Sequence, residues 1–309
     1  VIGKVFSHVE ACEPWCREAK AASEIGVMML PASKEKLEEY QRAGGLFNNV
    51  DGAGRLLLEL KQQFDVIYPE TKLSQYKVVI LPDYGYMDEK TRKTLSAYLK
   101  QGGKLIVSHE HGLADGKFTL PGMPVTYEGA FPFKPCYLKL GKELGEGLPE
   151  SNFVFYEDAA KARPVKGAKA FGNLCSSYFN RAFDHFCSHN QTPDDKATEW
   201  PILVTNKQIA YISASVFRAY RDHSYGLYKK IVAKALAELL PSPLVKAKAP
   251  SAMEVSVNRQ PREKRLVAHL VNFQPQRRHI NVEWIEELYP VRDIELWVRT
   301  VKRPSAVYL

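Results

Sequence analysis

The chain has 309 residues, of which 45% are hydrophobic and 25% charged; this is the composition of a folded protein and excludes wholesale disorder. Lys and Arg number 43 against 35 Asp and Glu, but the basic residues are scattered without the clustered footprint of a nucleic-acid-binding surface, so no nucleic-acid partner is expected. No apolar run approaches the ~18–20 residues that span a bilayer, so no membrane association is expected either.

Length and cysteine content give further expectations. At roughly 100–200 residues per domain, the length predicts about two domains. The first residue is Val1, which predicts a processed start or a piece of a longer chain. An odd number of cysteines does not form a disulfide framework, so we expect free thiols and a cytoplasmic location. The five cysteines are Cys12, Cys16, Cys136, Cys175 and Cys187.

The first residues have no clear period and could hold a metal site. His8, Cys12 and Cys16 are spaced at i, i+4 and i+8, so on one helix they would share a face and bind zinc with a further ligand from 187–189. Pro14 lies between the cysteines and disfavours an unbroken helix. Structural zinc sites usually show two close ligand pairs, and this is one loose set, so packed free thiols and no metal are predicted.

Beyond residue 23 the pattern is that of alternating strands and helices. Asn48, Asn49 or Asp51 begins a helix, and Asp88 begins another that ends before Gly102. Short apolar runs of the kind found in buried parallel strands surround these helices. The predicted strands are 24–30, 64–68, 77–81 and 104–107.

This order predicts a doubly wound, flavodoxin-like α/β sheet with right-handed crossovers. Ligands of such sheets bind in the crevice at the carboxyl ends of the strands. In this chain 31–33, 82–86 and 108–112 would line that crevice.

The remaining chain is predicted to be richer in strands. A hairpin is expected around Asn206–Lys207, followed by a helix over 225–240. The segment 241–252 is rich in Pro, Ala and Lys and is interpreted as a linker. Beyond it, apolar residues alternate with period two, which predicts a small antiparallel β-sandwich domain. Further short strands are predicted at 125–129, 137–140, 153–156 and 169–174.

The turn after the fourth strand, 108–112, is a candidate nucleophile elbow. Counting back from Gly112, Glu110 takes the position of the nucleophilic Cys of class I glutamine amidotransferases, and no Cys lies within twenty residues of it. A carboxylate is a poor replacement for a thiolate in amide hydrolysis, so that reaction is not expected. His109 and His111 either hydrogen-bond neighbouring loops or contact a ligand.

The segment 178–193 interleaves polar side chains with aromatic rings. Asn180, Arg181, His185 and His189 are its candidate contact residues. Sugar recognition uses such donors and rings, a protein interface uses the same residue types, and a loop with its own satisfied polar network is a third reading.

Arg218 follows the predicted hairpin and has two readings. It could pair with a carboxylate on another domain, or it could belong to a helix start capped by Asp222 or Ser224.

Glycosidases need two carboxylates flanking the scissile bond, usually on a (β/α)₈ barrel, and this chain has no room for that barrel. No catalytic residue is therefore predicted.

Several of these segments together resemble parts of glycoside hydrolases. The strands EIGVMML, KVVILP and GGKLIVSHEHG resemble the trimerisation domain of family 42 β-galactosidases, an amidotransferase-like fold without the nucleophile. The segments KVFSHVEACEPWCR and YFNRAFDHFCSHNQTP are more similar to α-L-fucosidase-like glycosyl hydrolases. In both groups a catalytic barrel precedes this region, so the resemblance transfers no catalytic residue to this chain.

The resemblance implies a non-catalytic part or separate subunit of a glycoside hydrolase. Its expected partners are a catalytic (β/α)₈ barrel domain or subunit and further copies of the chain, with carbohydrate as a possible ligand and no cofactor. Candidate rim or interface residues are Asn180, Arg181, His185, His189, Arg218, Glu110, His111, Trp15 and Arg17. The alternative is a stand-alone carbohydrate-binding or hydrolytic protein that uses the strand-end crevice and the 178–193 loop.

The expected domain organisation has three parts. A lead-in covers 1–22, an amidotransferase-like, trimerisation-type domain covers 23–245, and a β-sandwich domain covers 246–309.

Overall fold

The structure is a computed structural model that describes residues 2–31, 47–273, 276–279, 282–284, 287 and 289–309. It is a mixed α/β fold whose contacts group into two units. The larger unit comprises 25–56 and 64–241, and the smaller comprises 1–24, 57–63 and 242–309. The predicted domain limits themselves stay a prediction.

The helices of the described residues are mostly short. They are α1 (Ile2–Cys16), α2 (Asn48–Glu59), α3 (Glu89–Lys100), α4 (Gly141–Gly145), α5 (Val216–His223) and α6 (Leu227–Leu239), with a 3₁₀ turn at Leu73–Gln75.

The strands, in chain order, run through both units. They are β1 (Lys20–Ala21), β2 (Ile25–Met28), β3 (Phe64–Ile67), β4 (Val78–Leu81), β5 (Lys104–Ser108), β6 (Leu113–Ala114), β7 (Lys117–Phe118), β8 (Val125–Ala130), β9 (Cys136–Lys139), β10 (Asn152–Phe155), β11 (Ala160–Pro164), β12 (Lys169–Ser177), β13 (Asp194–Thr205), β14 (Ile209–Ile212), β15 (Val245–Lys248), β16 (Met253–Gln260), β17 (Arg265–Asn272), β18 (Gln276–His279), β19 (Val282–Trp284) and β20 (Glu295–Val298).

A nine-stranded mixed sheet forms the centre of the larger unit. Its order is β10-β9-β12-β13-β14-β5-β4-β2-β3, with parallel pairing from β14 to β3 and antiparallel pairing from β10 to β14. All residues of β2, β4 and β14 are buried. This double-sided burial is the reason that these strands read as continuous apolar runs rather than alternating ones.

The predicted strand–helix order of the parallel part is confirmed. Asp88 is the N-cap of α3 and accepts a hydrogen bond from the Thr91 backbone N–H at 2.7 Å. After α3 the chain reverses at Gly102, whose φ of 88° suits a residue without a Cβ. The hairpin around Asn206–Lys207 is also confirmed, and its second strand, β14, pairs parallel to β5.

One local prediction in the larger unit is wrong, and one strand was missed. Asp222 lies inside α5 and Ser224 ends it, with a φ of 49°, so neither residue begins the following helix. The helix α6 instead begins after Gly226. The strand β11 was not predicted, because its sequence AKARP has little strand character apart from its pairing with β8.

The smaller unit contains short antiparallel sheets. One has the order β1-β16-β17. The interpretation of 241–252 as a linker is wrong in part, because this segment contains β15, which pairs with β20. Alternation in β16 places Met253, Val255 and Val257 in the core of this unit. Lys61 is buried here, and its ammonium donates hydrogen bonds to the Ser251 and Met253 carbonyls at 3.0 and 2.7 Å.

The lead-in forms a helix, which corrects the expectation drawn from Pro14. The helix α1 runs through Pro14 and ends at Cys16. The side chain of Gln260 donates to the Pro14 and Arg17 carbonyls at 3.1 and 2.8 Å, which satisfies backbone acceptors near the end of α1.

The described residues also bear on membranes and metals. No helix among them is long and apolar enough to cross a membrane. Cys12 Sγ lies 3.7 Å from His8 Nε2, but no group of three or more His, Cys, Asp or Glu in the described part is arranged to hold a metal ion. All five cysteines are unpaired.

Candidate functional site

The loops at the carboxyl ends of the parallel strands meet through backbone hydrogen bonds. The Tyr86 N–H donates to the Pro31 carbonyl at 2.8 Å, and the Glu110 N–H donates to the Asp83 carbonyl at 3.0 Å. Three segments were predicted to line this crevice, 31–33, 82–86 and 108–112, and residues 32–33 of the first lie outside the described residues. The chain thus gathers the ends of β2, β4 and β5 at one edge of the sheet, as expected for an open parallel sheet.

The elbow after β5 has a left-handed residue. His109 has a φ of 49°, an uncommon conformation for a residue with a side chain, so the backbone reversal falls there and not at Glu110. Its backbone is fixed on both sides, because its N–H donates to the Ile212 carbonyl at 2.7 Å and its carbonyl accepts from the Tyr211 hydroxyl at 2.8 Å. Glu110 accepts a hydrogen bond from the Tyr127 hydroxyl at 3.1 Å. No thiol stands at the elbow.

His111 is packed into the loop rather than presented to solvent. Its Nδ1 lies 3.2 Å from the Pro82 carbonyl, and a Cβ on Gly85 would approach its ring to 2.6 Å. Burial lowers the pKa of His111 to about 4, so the ring is neutral near pH 7. The geometry favours the structural reading of this histidine over ligand contact.

Asp83 connects three segments at this edge. Its carboxylate accepts hydrogen bonds from the Ser108 hydroxyl at 2.8 Å, the Arg218 N–H at 2.6 Å and the Phe217 N–H at 3.4 Å. Asp83 therefore caps the first turn of α5 from a distant loop, while the N-cap residue Ser215 makes no side-chain cap of its own. Burial raises the pKa of Asp83 to about 7, although the hydrogen bonds it accepts act in the opposite direction.

The capped helix carries Arg218 into a group of charged side chains. We call Lys134, Glu157, Asp158, Arg218 and His223 the Glu157 cluster. The Glu157 carboxylate lies 3.6 Å from Arg218 Nε, 3.6 Å from His223 Nε2 and 3.9 Å from Lys134 Nζ. Asp158 is closer to its partner, at 2.8 Å from Lys134 Nζ. The carboxylate expected for Arg218 on another domain is thus supplied within the same unit.

Backbone hydrogen bonds hold the loops of the Glu157 cluster in place. The Asp158 carbonyl accepts from the Ser215 N–H at 3.1 Å and from the Ser215 hydroxyl at 2.8 Å. The Ala160 N–H donates to the Ser213 carbonyl at 2.8 Å, and the Phe131 N–H donates to the Ala159 carbonyl at 2.7 Å. Side chains that come from three separate segments are therefore fixed by main-chain contacts.

The electrostatics of the cluster differ between its two carboxylates. Burial acts to raise the pKa of Asp158, but the hydrogen bond and charge of Lys134, together with the nearby His109 and Arg218, outweigh burial and lower the pKa. Glu157 is 89% buried at its side chain, yet its ion-pair distances all exceed the 2.7–3.2 Å of a hydrogen bond. Arg218 Nε is also buried and has no hydrogen-bond partner in the described residues.

Three hydrogen bonds join the 178–193 loop to the segments that carry Lys134 and Glu157. The Asn180 side chain accepts from the Lys134 N–H at 3.2 Å and donates to the Pro132 carbonyl at 2.6 Å. The Tyr156 hydroxyl donates to Gln191 at 2.9 Å. These hydrogen bonds place the base of the loop beside Glu157.

The tip of the loop is exposed. His185 packs against the Phe179 ring, with 4.0 Å between ring centroids, and Arg181 and His189 face solvent. Tyr178, Phe183 and Phe186 are 72%, 101% and 70% exposed. An apolar group of this kind on a well-tied loop is typical of an interaction surface.

Trp15 and Arg17 belong to the smaller unit, where each has contacts of its own. The Arg265 guanidinium stacks over the Trp15 ring at 4.3 Å, and the Arg17 carbonyl accepts from Gln260. These contacts give both residues a structural role at the end of α1.

Sequence reasoning found Arg218 and the 178–193 loop but missed Lys134, Glu157 and Asp158. The only sequence signal was a pair of acids directly after a predicted strand. Such a pair is common on protein surfaces, so only the tertiary contacts reveal its role.

Comparison with known proteins gives one family match, within the first half of the chain. The sequence pattern of the β-galactosidase trimerisation domain matches residues 55–136. No curated protein matches the chain. Among solved structures, α-L-fucosidase isoenzyme 2 from Paenibacillus thiaminolyticus is 30% identical with a TM-score of 0.86, over 96% of this chain and 45% of the fucosidase chain.

Two β-galactosidases share the fold at lower identity. The enzyme from Bacillus circulans sp. alkalophilus is 18% identical with a TM-score of 0.54, over 79% of this chain and 35% of its own. The enzyme from Rahnella sp. R3 is 15% identical with a TM-score of 0.57, over 82% of this chain and 36% of its own. This chain spans less than half the length of the fucosidase and about a third of the β-galactosidases. Residues 55–136 are therefore similar to the β-galactosidase trimerisation domain, and the chain is similar over most of its length to part of an α-L-fucosidase.

Proposed function

We propose that this chain is a non-catalytic part, or a separate subunit, of an α-L-fucosidase-like or β-galactosidase-like glycoside hydrolase. It assembles copies of itself and completes the rim of the active site of a catalytic (β/α)₈ barrel. The observation that carries the proposal is the match of nearly the whole chain to less than half of the Paenibacillus thiaminolyticus fucosidase. The remainder of that longer chain has the length for a separate catalytic domain.

The 178–193 loop is the proposed contact surface, both for a second copy of the chain and for the rim of the catalytic barrel. Its base is fixed by Asn180 and Gln191, and its tip exposes Phe183 and Phe186. Aromatic residues and Arg are the side chains that most often dominate protein interfaces, and Arg181 lies between the exposed rings. His185 and His189 on the same loop would then face the barrel rim.

The proposal includes a finer description of the two folded parts. The nine-stranded sheet corresponds to a flavodoxin-like, amidotransferase-like domain without its nucleophile, and the small antiparallel sheets correspond to a β-sandwich. The absence of a thiol at the elbow, in the part of the chain that the structure describes, is compatible with a domain that has kept the scaffold and lost the reaction.

Light scattering coupled to size-exclusion chromatography tests the assembly role. The chain is expected to form a concentration-dependent oligomer, and the double substitution Phe183→Ser with Phe186→Ser is expected to shift it toward the monomer. Tyr68→Ser serves as the matched control, because Tyr68 is 52% exposed but lies after β3, outside the loop. A chain that is monomeric at every concentration would contradict self-assembly.

Hydrolysis assays test the non-catalytic assignment. The purified chain alone is expected not to release nitrophenol from 4-nitrophenyl α-L-fucoside or 4-nitrophenyl β-D-galactoside. Turnover of either substrate by the chain alone would overturn the assignment.

A further inference from the structure

The charged side chains of the Glu157 cluster lie near one another without forming direct hydrogen bonds to Glu157. Arg218 Nε is 3.6 Å from one Glu157 oxygen, and His223 Nε2 is 3.6 Å from the other oxygen. Both separations are longer than a direct hydrogen bond, so the carboxylate stands between two donors without closing on either. The Arg218 guanidinium also lies 3.7 Å from Asp222, again beyond hydrogen-bond distance.

The unused hydrogen-bonding capacity in this cluster is specific. Arg218 Nε is buried and has no hydrogen-bond partner among the described residues. Buried donors are nearly always satisfied by protein, water or ligand, so this one is open to an acceptor from beyond the described residues. Glu157 offers acceptor oxygens beside it, with 11% of its side chain still accessible.

The charges of the cluster favour a neutral ligand. The carboxylates of Glu157, Asp158 and Asp222 alternate with the positive charges of Lys134 and Arg218, so charges of both signs surround the site. An anion would meet the Glu157 carboxylate, and a metal cation would meet Arg218 and Lys134, so each is opposed by a nearby like charge. Hydroxyl groups donate and accept at once, and they match a site that offers a carboxylate beside guanidinium and imidazole donors.

An aromatic ring flanks the same side chains. The Tyr156 ring packs against His223 with 5.6 Å between ring centroids. The apolar face of a pyranose packs favourably on such a ring. The loop that carries Glu157 is held by backbone hydrogen bonds to the segment just before α5, which carries Arg218, so little ordering is needed when a ligand binds.

We infer that Glu157, Arg218 and His223 form a binding site for adjacent hydroxyl groups of a neutral sugar. Glu157 accepts hydrogen bonds from the sugar hydroxyls, Arg218 donates to a hydroxyl oxygen, and His223 borders the site. This site differs from the exposed tip of the 178–193 loop, and it functions whether or not the chain assembles.

Saturation-transfer difference NMR on the intact chain tests the site, with methyl α-L-fucoside and methyl β-D-galactoside as probes. We expect saturation transfer to the ring protons of at least one probe, with millimolar affinity. Glu157→Gln and Arg218→Met should each weaken binding about ten- to a hundredfold, as the loss of a hydrogen bond to a charged group predicts. Glu199→Gln is the matched control, because Glu199 forms an exposed ion pair with Arg163.

Two further arms make the result decisive. His223→Ala should weaken binding without unfolding the chain, because the His223 side chain is 38% exposed, and circular dichroism checks its fold. The variant Phe183→Ser with Phe186→Ser should keep sugar binding even if it loses assembly. No saturation transfer with either probe, or equal binding by wild type and the folded Glu157→Gln and His223→Ala variants, would overturn the sugar site and leave the assembly proposal unaffected.

Discussion

Asp83 and His111 are two buried titratable residues at the same edge of the sheet. His111 lies against the Pro82 carbonyl, and Asp83, the next residue after Pro82, accepts a hydrogen bond from Ser108. Burial disfavours the charged form of each, so it raises the pKa of the acid to about 7 and lowers the pKa of the imidazole to about 4. Their ordinary values are 3.8 and 6.5. The two side chains therefore make opposite contributions to the pH dependence of stability.

The sign follows from proton binding. As the pH falls from 6.5 to 4, unfolded His111 takes up a proton that folded His111 refuses, so acid favours unfolding. From pH 7 down to about 4, folded Asp83 takes up a proton before unfolded Asp83 does, so acid favours folding. In the wild type these contributions oppose each other over the shared range.

Asp83→Asn removes one side of this balance. Between pH 6.5 and 4 the free energy of unfolding of the variant should fall with acidification more steeply than that of the wild type, by about 1.4 kcal/mol per pH unit. His111→Phe should change the slope in the opposite direction. Urea denaturation at a series of pH values measures both slopes, and parallel curves for all three proteins would refute the assignment.

The helices α2 and α5 pack closely against each other at Gly52. A Cβ on Gly52 would lie 1.9 Å from the Phe217 carbonyl oxygen, which is backbone and cannot move aside as a side chain can. The same helix α5 carries Arg218, so this packing and the Asp83 cap together position the charged cluster.

Gly52→Ala is therefore expected to destabilise the chain although alanine is the better helix former. The overpacking should lower the free energy of unfolding by about 1–3 kcal/mol, measured by urea denaturation. Gly3→Ala in α1 is the control, because nothing lies within 4 Å of its Cβ, and it should gain up to about 1 kcal/mol. Equal effects of the two substitutions would show that α2 and α5 do not meet as described.

The start of α3 allows a second prediction for an element. Asp88→Ala removes the side-chain acceptor for the Thr91 N–H and should cost about 1 kcal/mol of unfolding free energy. Asp88→Asn, which keeps a capping oxygen, should cost much less. Thermal denaturation of the three proteins distinguishes a cap from a general charge effect, which would make the two variants equally unstable.

For the whole molecule, substitution of the exposed rings of the 178–193 loop should affect self-association but not folding stability. Phe183 and Phe186 bury little area within the chain, so replacing both by Ser should change the free energy of unfolding by no more than about 0.5 kcal/mol. The same variant should lose self-association in light scattering. A large loss of stability, measured below the concentration at which the chain assembles, would mean that the rings pack within the chain.

Much of the parallel sheet was predictable from local signals. β2, β4 and β5 read as apolar runs because both faces are buried, and the cap at Asp88 and the turn at Gly102 mark the limits of α3. The path of α1 was not predictable, since Pro14 signals a break and only Gln260, far away in the sequence, shows how the carbonyls at its end are satisfied.

By itself, the sequence determined the order of strands and helices in the parallel part of the sheet, the missing thiol at the elbow and the likeness to glycoside hydrolase domains, because each depends on residues that are neighbours in the chain. Tertiary structure alone decided that Lys134, Glu157, Arg218 and His223 meet, since they come from three separate segments with no shared pattern. It also decided that His111 is packed away, because burial depends on neighbours such as Gly85 and Pro82 that the spacing of residues does not reveal.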